Sequence, residues 1–198
     1  MTAQEILADL QEFGIKNANP VIVAKYARYF KEGYDAYGLS HEQVTNKTSE
    51  ILALPSITQD LILEASLLLV KSGKYELTVM AIRFVQSFYK SWTPATFETV
   101  EQWFSVGITN WAQTDYICGE LINLFFKKKL IDIASLSGWR TAENKFQRRA
   151  AVVGLIKPMK LSADFGPYYA FIEPMMHDPA REVHQGLGWF LRETWKKK

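Results

Sequence analysis

Apolar residues recur at three- and four-residue spacings along nearly the whole chain of 198 residues, and no segment sustains an alternation of period two. This spacing is typical of amphipathic helices that bury one face, and it leaves no convincing strand. Hydrophobic residues make up 48% of the sequence, which is ample for a packed core. The pattern therefore predicts an all-α protein.

Local signals mark where several helices begin and end. Two starts carry capping boxes, in which the N-cap hydroxyl and the N3 side chain satisfy backbone donors reciprocally. Three more starts place a capping side chain before a proline, and three glycines stand where helices are expected to end. These signals are Thr2 with Glu5, Ser40 with Gln43, Asn19-Pro20, Thr93-Pro94, Asp178-Pro179, Gly33, Gly73 and Gly138.

Periodicity and caps together predict about ten helices with short connections, so that consecutive helices are antiparallel neighbours. Because coiled-coil heptads are absent, this series predicts an α-solenoid or an irregular helical array, a type of structure that often binds on its concave face. The expected helices cover residues 3–13, 20–32, 41–53, 59–72, 75–90, 94–106, 111–129, 142–157, 164–177 and 179–196, with a short turn near 131–136.

The net charge of +2 is unevenly distributed along the chain. Residues 1–126 contain 9 Lys/Arg and 14 Asp/Glu, whereas residues 127–198 contain 14 Lys/Arg and 7 Asp/Glu. A basic second half favours a polyanionic partner, and nucleic acid is the commonest one. A solvated lysine-rich surface would give the same count, so charge alone leaves both interpretations open.

Three features bear on the compartment. Cys118 is the single cysteine, so no internal disulfide can form and a reducing environment is favoured. The segment Met1–Leu10 contains acidic residues and lacks a basic start, so we expect no signal peptide. No stretch approaches the roughly 20 apolar residues of a membrane span. We therefore expect a soluble, cytoplasmic protein that does not use a membrane.

Familiar cofactor and catalytic motifs are missing from the sequence. His41, His177 and His184 are not spaced as metal ligands on one helix. Neither a phosphate loop nor a Gly-x-Ser-x-Gly elbow is present. We therefore expect no metal and no cofactor, so that any catalysis must come from carboxylates, aromatic rings and arginines.

The first informative segment is residues 110–119, Asn-Trp-Ala-Gln-Thr-Asp-Tyr-Ile-Cys-Gly. On a helix, Trp111 and Asp115 lie one turn apart on one side, and Gly119, a turn further on, leaves space beside the carboxylate. An aspartate near a helix N-terminus is also favoured by the helix dipole, with the glycine serving helix packing. The face expected in the core contains Thr114, Ile117, Cys118, Leu121 and Phe125.

The second segment is residues 148–156, Arg-Arg-Ala-Ala-Val-Val-Gly-Leu-Ile. After the two arginines this helix is apolar nearly all round, so it should be enclosed by neighbours. Arg149 projects from an apolar side, and its guanidinium needs an anion there, either an internal carboxylate or a phosphate.

The third segment is residues 184–193, His-Gln-Gly-Leu-Gly-Trp-Phe-Leu-Arg-Glu. Its helical core stripe is expected to contain Val183, Leu187, Phe190, Leu191 and Thr194. The opposite stripe has Gln185, Trp189, Arg192 and Lys196. A tryptophan between a glutamine and two cations is unusual on a purely structural helix, although isolated surface aromatics are common.

Together the three segments resemble the DNA alkylation repair family, the AlkD-like alkylpurine glycosylases built from HEAT-like helical repeats. The resemblance covers roughly residues 80–195 well and the first third of the chain loosely. It implies one HEAT-like repeat domain over residues 1–198 with a concave, basic face. Two features depart from the family pattern. After Gly33, the segment down to Ser40 is a shortened version of the family's next motif, and the sequence stops soon after Arg192, where the family would be expected to have another helical repeat.

The resemblance also implies roles for individual residues. Trp111 and Asp115 match the family's catalytic pair, and Arg149 matches a DNA-contacting arginine. Trp189 and Arg192 match an aromatic residue and an arginine of the same cleft. Phosphate contacts would also involve Arg148 and Lys196, with sequence-independent attraction from the remaining lysines of 127–129 and 196–198.

The activity implied is that of a monofunctional, metal-independent DNA glycosylase acting on N3- or N7-alkylated purines in duplex DNA. Such purines are cationic and leave without being protonated, so one carboxylate suffices where ordinary glycosidases need two. We expect a monomer that associates with the nucleoid when bound to DNA. The alternatives are a helical-repeat module that binds DNA or protein without chemistry, and a protein-interaction solenoid unrelated to DNA.

Overall fold

The computed structural model describes residues 1–197, and all regular secondary structure in that range is helical, which confirms the all-α prediction. The α-helices are α1 Ala3–Lys16, α2 Pro20–Ala27, α3 His41–Leu52, α4 Gln59–Lys71, α5 Tyr75–Ser87, α6 Pro94–Val106, α7 Trp111–Ile117, α8 Asn123–Lys127, α9 Lys145–Val153, α10 Ile156–Leu161, α11 Gly166–Ile172 and α12 Arg181–Trp195. Three 3₁₀ segments cover Tyr89–Ser91, Ala134–Thr141 and Glu173–His177, and a π-helical segment, Cys118–Ile122, joins α7 to α8.

The chain divides into two compact units, Met1–Gln113 and Thr114–Lys198, and the division falls within α7. Each unit has its own set of fully buried side chains. The single HEAT-like repeat domain expected for residues 1–198, and its concave basic face, remain predictions.

In the first unit, α4 is the central helix and packs against α1, α5 and α6, while α3 packs against α5. Its large apolar side chains fill a core from which water is excluded, and Trp103 satisfies its indole N–H by donating to the Ser66 hydroxyl at 3.2 Å. The largest fully buried residues here are Ile6, Leu10, Ile51, Ile62, Leu69, Leu77, Phe84, Trp103 and, at 2% exposure, Phe104.

The segment between α2 and α3 is anchored by the buried carboxylate of Glu76 on α5. Its oxygens accept from the backbone N–H groups of Tyr37 at 2.9 Å, Gly38 at 2.6 Å and Leu39 at 3.1 Å. Gly38 has a φ of +82°, and a Cβ there would lie 2.3 Å from the carbonyl oxygen of Asn19, so only glycine fits. A charged residue thus fixes a connection that has little regular structure.

The predicted helix starts of this unit are largely confirmed. Both capping boxes form, and the Asn19 side chain accepts from the backbone of Val21 and Ile22. The helix expected over 20–32 ends at Ala27, however. Beyond it the backbone N–H groups donate to the carbonyl three residues earlier, as in a 3₁₀ turn, and this tighter winding continues as far as Gly33. No side chain of α2 is buried, so tertiary packing does not extend this helix.

In the second unit, α9 packs against α12 and against the 3₁₀ segment Ala134–Thr141, while α10 contacts α8 and α12. The apolar face predicted for residues 114–125 is confirmed, since all five of its residues are buried. Leu191 was expected in the core stripe of α12 but is 38% exposed. It lies about 80° from Val183 around the helix, at the edge of the stripe rather than within it.

Several boundaries in the second unit differ from prediction. The helix expected over 142–157 is two helices, α9 and α10, because the chain turns at Gly154 and Pro158 cannot donate a helical hydrogen bond. Gly138 lies inside a 3₁₀ segment rather than at a helix end, and α12 starts at Arg181, two residues later than expected. Within residues 1–197, no helix is both long and apolar enough to cross a membrane.

Candidate active site

Asp115 lies at the edge of the buried face of α7. Its neighbour Thr114 is fully buried, whereas the Asp115 side chain keeps 18% of its surface exposed. Three residues after it the helix widens into the π-helical segment Cys118–Ile122, a distortion found frequently at functional sites. The carboxylate is therefore anchored on a packed helix while part of it still faces outward.

Arg149 on α9 holds both oxygens of this carboxylate. Its Nε donates to Oδ1 and its Nη2 to Oδ2 of Asp115, each at 2.8 Å, and its Nη1 donates to the carbonyl of Glu182 at 2.7 Å. The Arg149 side chain is only 6% exposed. Such a bidentate pair matches the planar fork of a guanidinium to an ionised carboxylate.

This pairing gives Arg149 internal partners, and the phosphate contact expected of it stays a prediction. All three of its nitrogens already have acceptors inside the second unit, so the residue faces inward. Of the two anions that the sequence left open, the internal carboxylate is the one observed. Gly186 on α12 packs closely against α9, since a Cβ there would lie 3.3 Å from Val153 and 3.5 Å from the Arg149 stem.

A small cavity of about 60 Å³ opens beside Asp115 within the second unit. Trp189 forms one wall, and the space predicted beside Gly119 is present, since a Cβ on Gly119 would have no atom within 4 Å. The alternative that Gly119 serves helix packing is therefore not supported. The remaining lining residues are Cys118, Val153, Gly154, Ile156 and Lys157.

Cys118 contributes an uncharged wall to this cavity. Burial raises the pKa of its thiol well above the ordinary value, and the nearby Asp115 carboxylate raises it further. Its Sγ lies 3.7 Å from the carbonyl oxygen of Ala150. A neutral, buried thiol is a poor nucleophile, so Cys118 is not a candidate for covalent chemistry in the cavity.

Lys157 is a site residue that the sequence analysis missed. It stands at the start of α10, its side chain is exposed, and its Nζ donates to the carbonyl of Gly119 at 2.9 Å. The sequence signal was present, because Lys157 is the first charge after an apolar run of seven residues. The break between α9 and α10, which aims it at the cavity, could not be read from periodicity.

The cations of α12 surround a buried carboxylate rather than lining the cavity. Lys196 Nζ lies 3.1 Å from Glu193 Oε1, Arg192 Nε lies 3.8 Å from the same oxygen, and Lys160 pairs with Oε2. The hydrogen bonds from Lys160 and Lys196 lower the pKa of Glu193 from 4.5 to about 2. Arg192 and Lys196 remain exposed over 62% of their side chains, so they present positive charge to solvent. Lys198, also expected to add charge here, lies outside the described residues.

Arg148 has a structural position that departs from the expected DNA contact. Its Nε and Nη2 donate to Asp178 at 2.6 and 3.2 Å, and its Nη1 donates to the carbonyls of Ala142 and Glu143. Burial would raise the pKa of Asp178, but the hydrogen bonds from Arg148 and Ala180 bring it below 3.8. These contacts link α9 to the segment just before α12, and the DNA contact expected of Arg148 stays a prediction.

Trp111 is held by an aromatic cluster in the first unit. Its ring stacks on Phe30 at 5.6 Å between centroids, Phe30 stacks on Tyr34 at 4.6 Å, and Tyr75 closes the group. The indole N–H donates to the carbonyl of Tyr29 at 3.2 Å, and the side chain remains 36% exposed. The Trp111–Asp115 pairing one turn apart on α7 stays a prediction.

Comparison with known protein families identifies the relationship. The model of the family described as DNA alkylation repair enzyme matches residues 10–198. The chain belongs to this family. No curated protein matches the sequence at a significant level.

Membership of the DNA alkylation repair family supports an enzyme that acts in DNA repair, with DNA as its partner. Within the second unit, the structure brings together three of the predicted site residues, Asp115, Arg149 and Trp189. Arg192 and Lys196 lie on the same helix as Trp189 but do not line the cavity. No group of three or more potential metal ligands occurs within residues 1–197.

Proposed function

We propose that the protein is a DNA glycosylase that hydrolyses the N-glycosidic bond of cationic N3- or N7-alkylated purines in duplex DNA. The observation that carries this proposal is the carboxylate of Asp115, fixed by Arg149 at a cavity that it shares with the ring of Trp189. Membership of a DNA alkylation repair family supplies the substrate class.

The proposed reaction needs one carboxylate because the leaving group is already activated. The bond between C1′ and the purine nitrogen breaks, its electron pair stays with the purine, and the departing base becomes neutral. Positive charge grows on the deoxyribose until a water oxygen bonds to C1′ and releases a proton. Asp115 would stabilise the cationic sugar and accept a hydrogen bond from that water, so neither a metal nor a second carboxylate is required.

Arg149 changes the size of the electrostatic effect. A carboxylate about 4 Å from the sugar, at an effective dielectric near 20, stabilises the cation by about 4 kcal/mol. A guanidinium on the far side, at about 8 Å, opposes this by about 2 kcal/mol. The net gain of about 2 kcal/mol corresponds to about thirtyfold in rate. Arg149 thus weakens the electrostatic stabilisation of the sugar cation by Asp115, but it holds the carboxylate in a fixed orientation.

The remaining predicted residues would bind rather than react. Trp189, and Trp111 if the alkylated nucleotide reaches both rings, would place electron-rich faces against the sugar and the cationic base. Arg192, Lys196 and Lys157 are exposed cations of the second unit, and they would contact the flanking phosphates without reading sequence. The second unit carries 14 Lys/Arg against 9 Asp/Glu, which favours such contacts.

A non-catalytic helical-repeat module that binds DNA or protein is the second candidate, and one observation favours it. The ion pair between Asp115 and Arg149 would be equally useful in a scaffold, where it would simply join α7 to α9. A scaffold, however, has no use for the empty space beside Gly119 or for the half-buried ring of Trp189 at the same cavity. The two candidates differ in whether base is released.

The test is release of free base from duplex DNA that contains 7-methylguanine or 3-methyladenine, followed by chromatography, with abasic sites scored by alkaline cleavage. Wild-type protein is expected to release base, and Asp115→Asn about a thousandfold more slowly, because the charge of Arg149 is then unopposed. Asp115→Asn should also lower stability by about 2–3 kcal/mol, because it leaves the buried guanidinium of Arg149 unpaired.

Asp178→Asn is the matched control, because it breaks the second arginine–carboxylate pair of α9 at a distance from the cavity. We expect a similar loss of stability with base release close to wild type. Wild-type protein that binds alkylated DNA but releases no base would favour the scaffold, and an Asp115→Asn variant as active as wild type would refute the mechanism.

A further inference from the structure

A second polar groove lies in the first unit, between α3 and α5, with a volume of about 310 Å³. Its walls carry the hydroxyl groups of Thr45, Thr48, Ser49 and Ser87, and Arg83 is the one charged residue among those that line it. The reaction proposed at Asp115 gives this groove no role, because Asp115 and its cavity belong to the other unit.

The guanidinium of Arg83 has no carboxylate partner within residues 1–197. Its Nη1 donates to the Thr45 hydroxyl at 2.7 Å, and its Nη2 lies 3.3 Å from Nδ1 of His41. Neither a threonine hydroxyl nor an imidazole is an anion. Its Nε is shielded from solvent and has no hydrogen-bond partner in the described part of the chain.

This environment differs from that of the two arginines of α9. Arg148 and Arg149 each grip a carboxylate through two hydrogen bonds. A half-buried guanidinium that is neither neutralised nor fully hydrogen-bonded is in an unfavourable state, which an oxyanion relieves. A phosphodiester suits the groove because its two free oxygens can accept from the guanidinium and from a hydroxyl such as that of Ser49, which is exposed beside it.

We infer that Arg83 and the hydroxyl-lined groove between α3 and α5 bind a backbone phosphate of DNA. The inference rests on DNA being the partner in the proposed function, and it is independent of the proposed chemistry at Asp115. The first unit has 9 Lys/Arg against 12 Asp/Glu, so the attraction at this groove is local rather than the result of a basic surface. The contact is accordingly a single, sequence-independent one.

The test compares wild type with Arg83→Gln in binding to an undamaged duplex over a range of salt concentrations. Loss of one phosphate contact is expected to weaken binding about three- to tenfold at low salt and to reduce the slope of log K against log salt by about 0.9. Arg83→Lys should recover most of the slope, because it keeps the charge. Lys71→Gln is the matched control, since Lys71 is an exposed cation of the same unit outside the groove.

The outcomes separate this inference from the proposed function. An Arg83→Gln variant that is folded by circular dichroism and keeps the wild-type affinity and slope overturns the inference, even if wild type releases base. A reduced slope supports it, even if no base is released from any substrate. Inorganic phosphate that stabilises wild type but not Arg83→Gln against heat, without any change in DNA affinity, would identify a free-phosphate site and would also overturn it.

Discussion

Arg149 and Asp115 meet through two parallel hydrogen bonds of 2.8 Å, on side chains that are 6% and 18% exposed. The charges of the pair cancel, so either single replacement leaves one charge inside the second unit without its partner. Stability and rate should therefore respond differently to single and double replacements.

The double variant Asp115→Asn/Arg149→Gln should lose less activity and less stability than the sum of the losses caused by the two single changes. Removing the unopposed guanidinium should restore about 2 kcal/mol of transition-state stabilisation, so base release should be about thirtyfold faster than in Asp115→Asn alone. Urea unfolding should give a coupling free energy of about 2–3 kcal/mol between the two positions. Additive losses in both measurements would show that the pair does not act as a unit.

Alanine at two glycines of the cavity should have opposite effects on stability. A Cβ on Gly119 meets nothing within 4 Å, so Gly119→Ala should keep or raise stability by up to about 1 kcal/mol. A Cβ on Gly154 would lie 2.8 Å from the Ala150 carbonyl oxygen and 3.0 Å from Ile122, so Gly154→Ala should lose about 1–3 kcal/mol. Thermal unfolding checks both, and equal losses would contradict the assignment of free space to Gly119.

Filling that free space should separate folding from activity. Gly119→Leu should leave the unfolding midpoint close to that of Gly119→Ala while slowing base release at least tenfold, because the side chain occupies the cavity beside Asp115. Comparing the two variants in the base-release assay isolates the effect of volume. Full activity in Gly119→Leu would mean that the reacting nucleotide does not use this space.

Lys157→Met should weaken DNA binding more than it slows the chemical step. The ammonium group is exposed at the cavity and tied to the Gly119 carbonyl, where a flanking phosphate would compete for it. We expect KM for alkylated duplex to rise severalfold, kcat to change less, and the salt slope to fall by about 0.9. Lys71→Met, which removes an exposed cation that does not line the cavity, provides the charge-matched comparison. Equal effects at both positions would remove Lys157 from the site.

Acid should unfold the protein partly through Glu193. Its pKa is 4.5 ordinarily and about 2 in the folded state, so its stabilising contribution is complete above about pH 4.5 and is lost as the pH falls towards 2. Glu193→Gln should therefore lower stability at neutral pH and flatten its dependence on pH between 4.5 and 2. Glu173→Gln, which removes an exposed carboxylate, should leave that dependence unchanged. Parallel curves for wild type and Glu193→Gln would contradict the role of the lysine cluster.

The sequence was sufficient for the class of fold and for most helix starts, because both depend on local physics. The capping boxes at Thr2 and Ser40 form as predicted, since their partners lie three residues away along the chain. The ends of helices were harder to predict than their starts. α2 ends at Ala27 although the helical pattern continues in the sequence after it. No side chain of α2 is buried against a neighbouring helix, so tertiary packing does not stabilise a longer helix.

The candidate site was only partly predictable for a related reason. The one-turn spacing of Asp115 and Gly119 is local, and the free space beside the carboxylate followed from it. Three contacts of the site each join residues at least 30 positions apart in the sequence. They are the ion pair of Arg149 with Asp115, that of Arg148 with Asp178, and the hydrogen bond from Lys157 to Gly119. Periodicity carries no information about such pairs, so it could not identify the internal partners of Arg148 and Arg149.

The widened turn at Cys118–Ile122 has a consequence for insertions and deletions in this helix. A π-turn closes with one residue more than an α-turn, so it behaves as a single added residue inside an otherwise ordinary helix. Removing one residue there would let the segment rewind as an α-helix, with Asp115 and Phe125 in nearly the same relative orientation. Removing a residue from a regular α-helical turn between them would instead rotate Asp115 by about 100° relative to Phe125. The π-turn is therefore the one place between these two residues where the helix can lose a residue without redirecting the carboxylate.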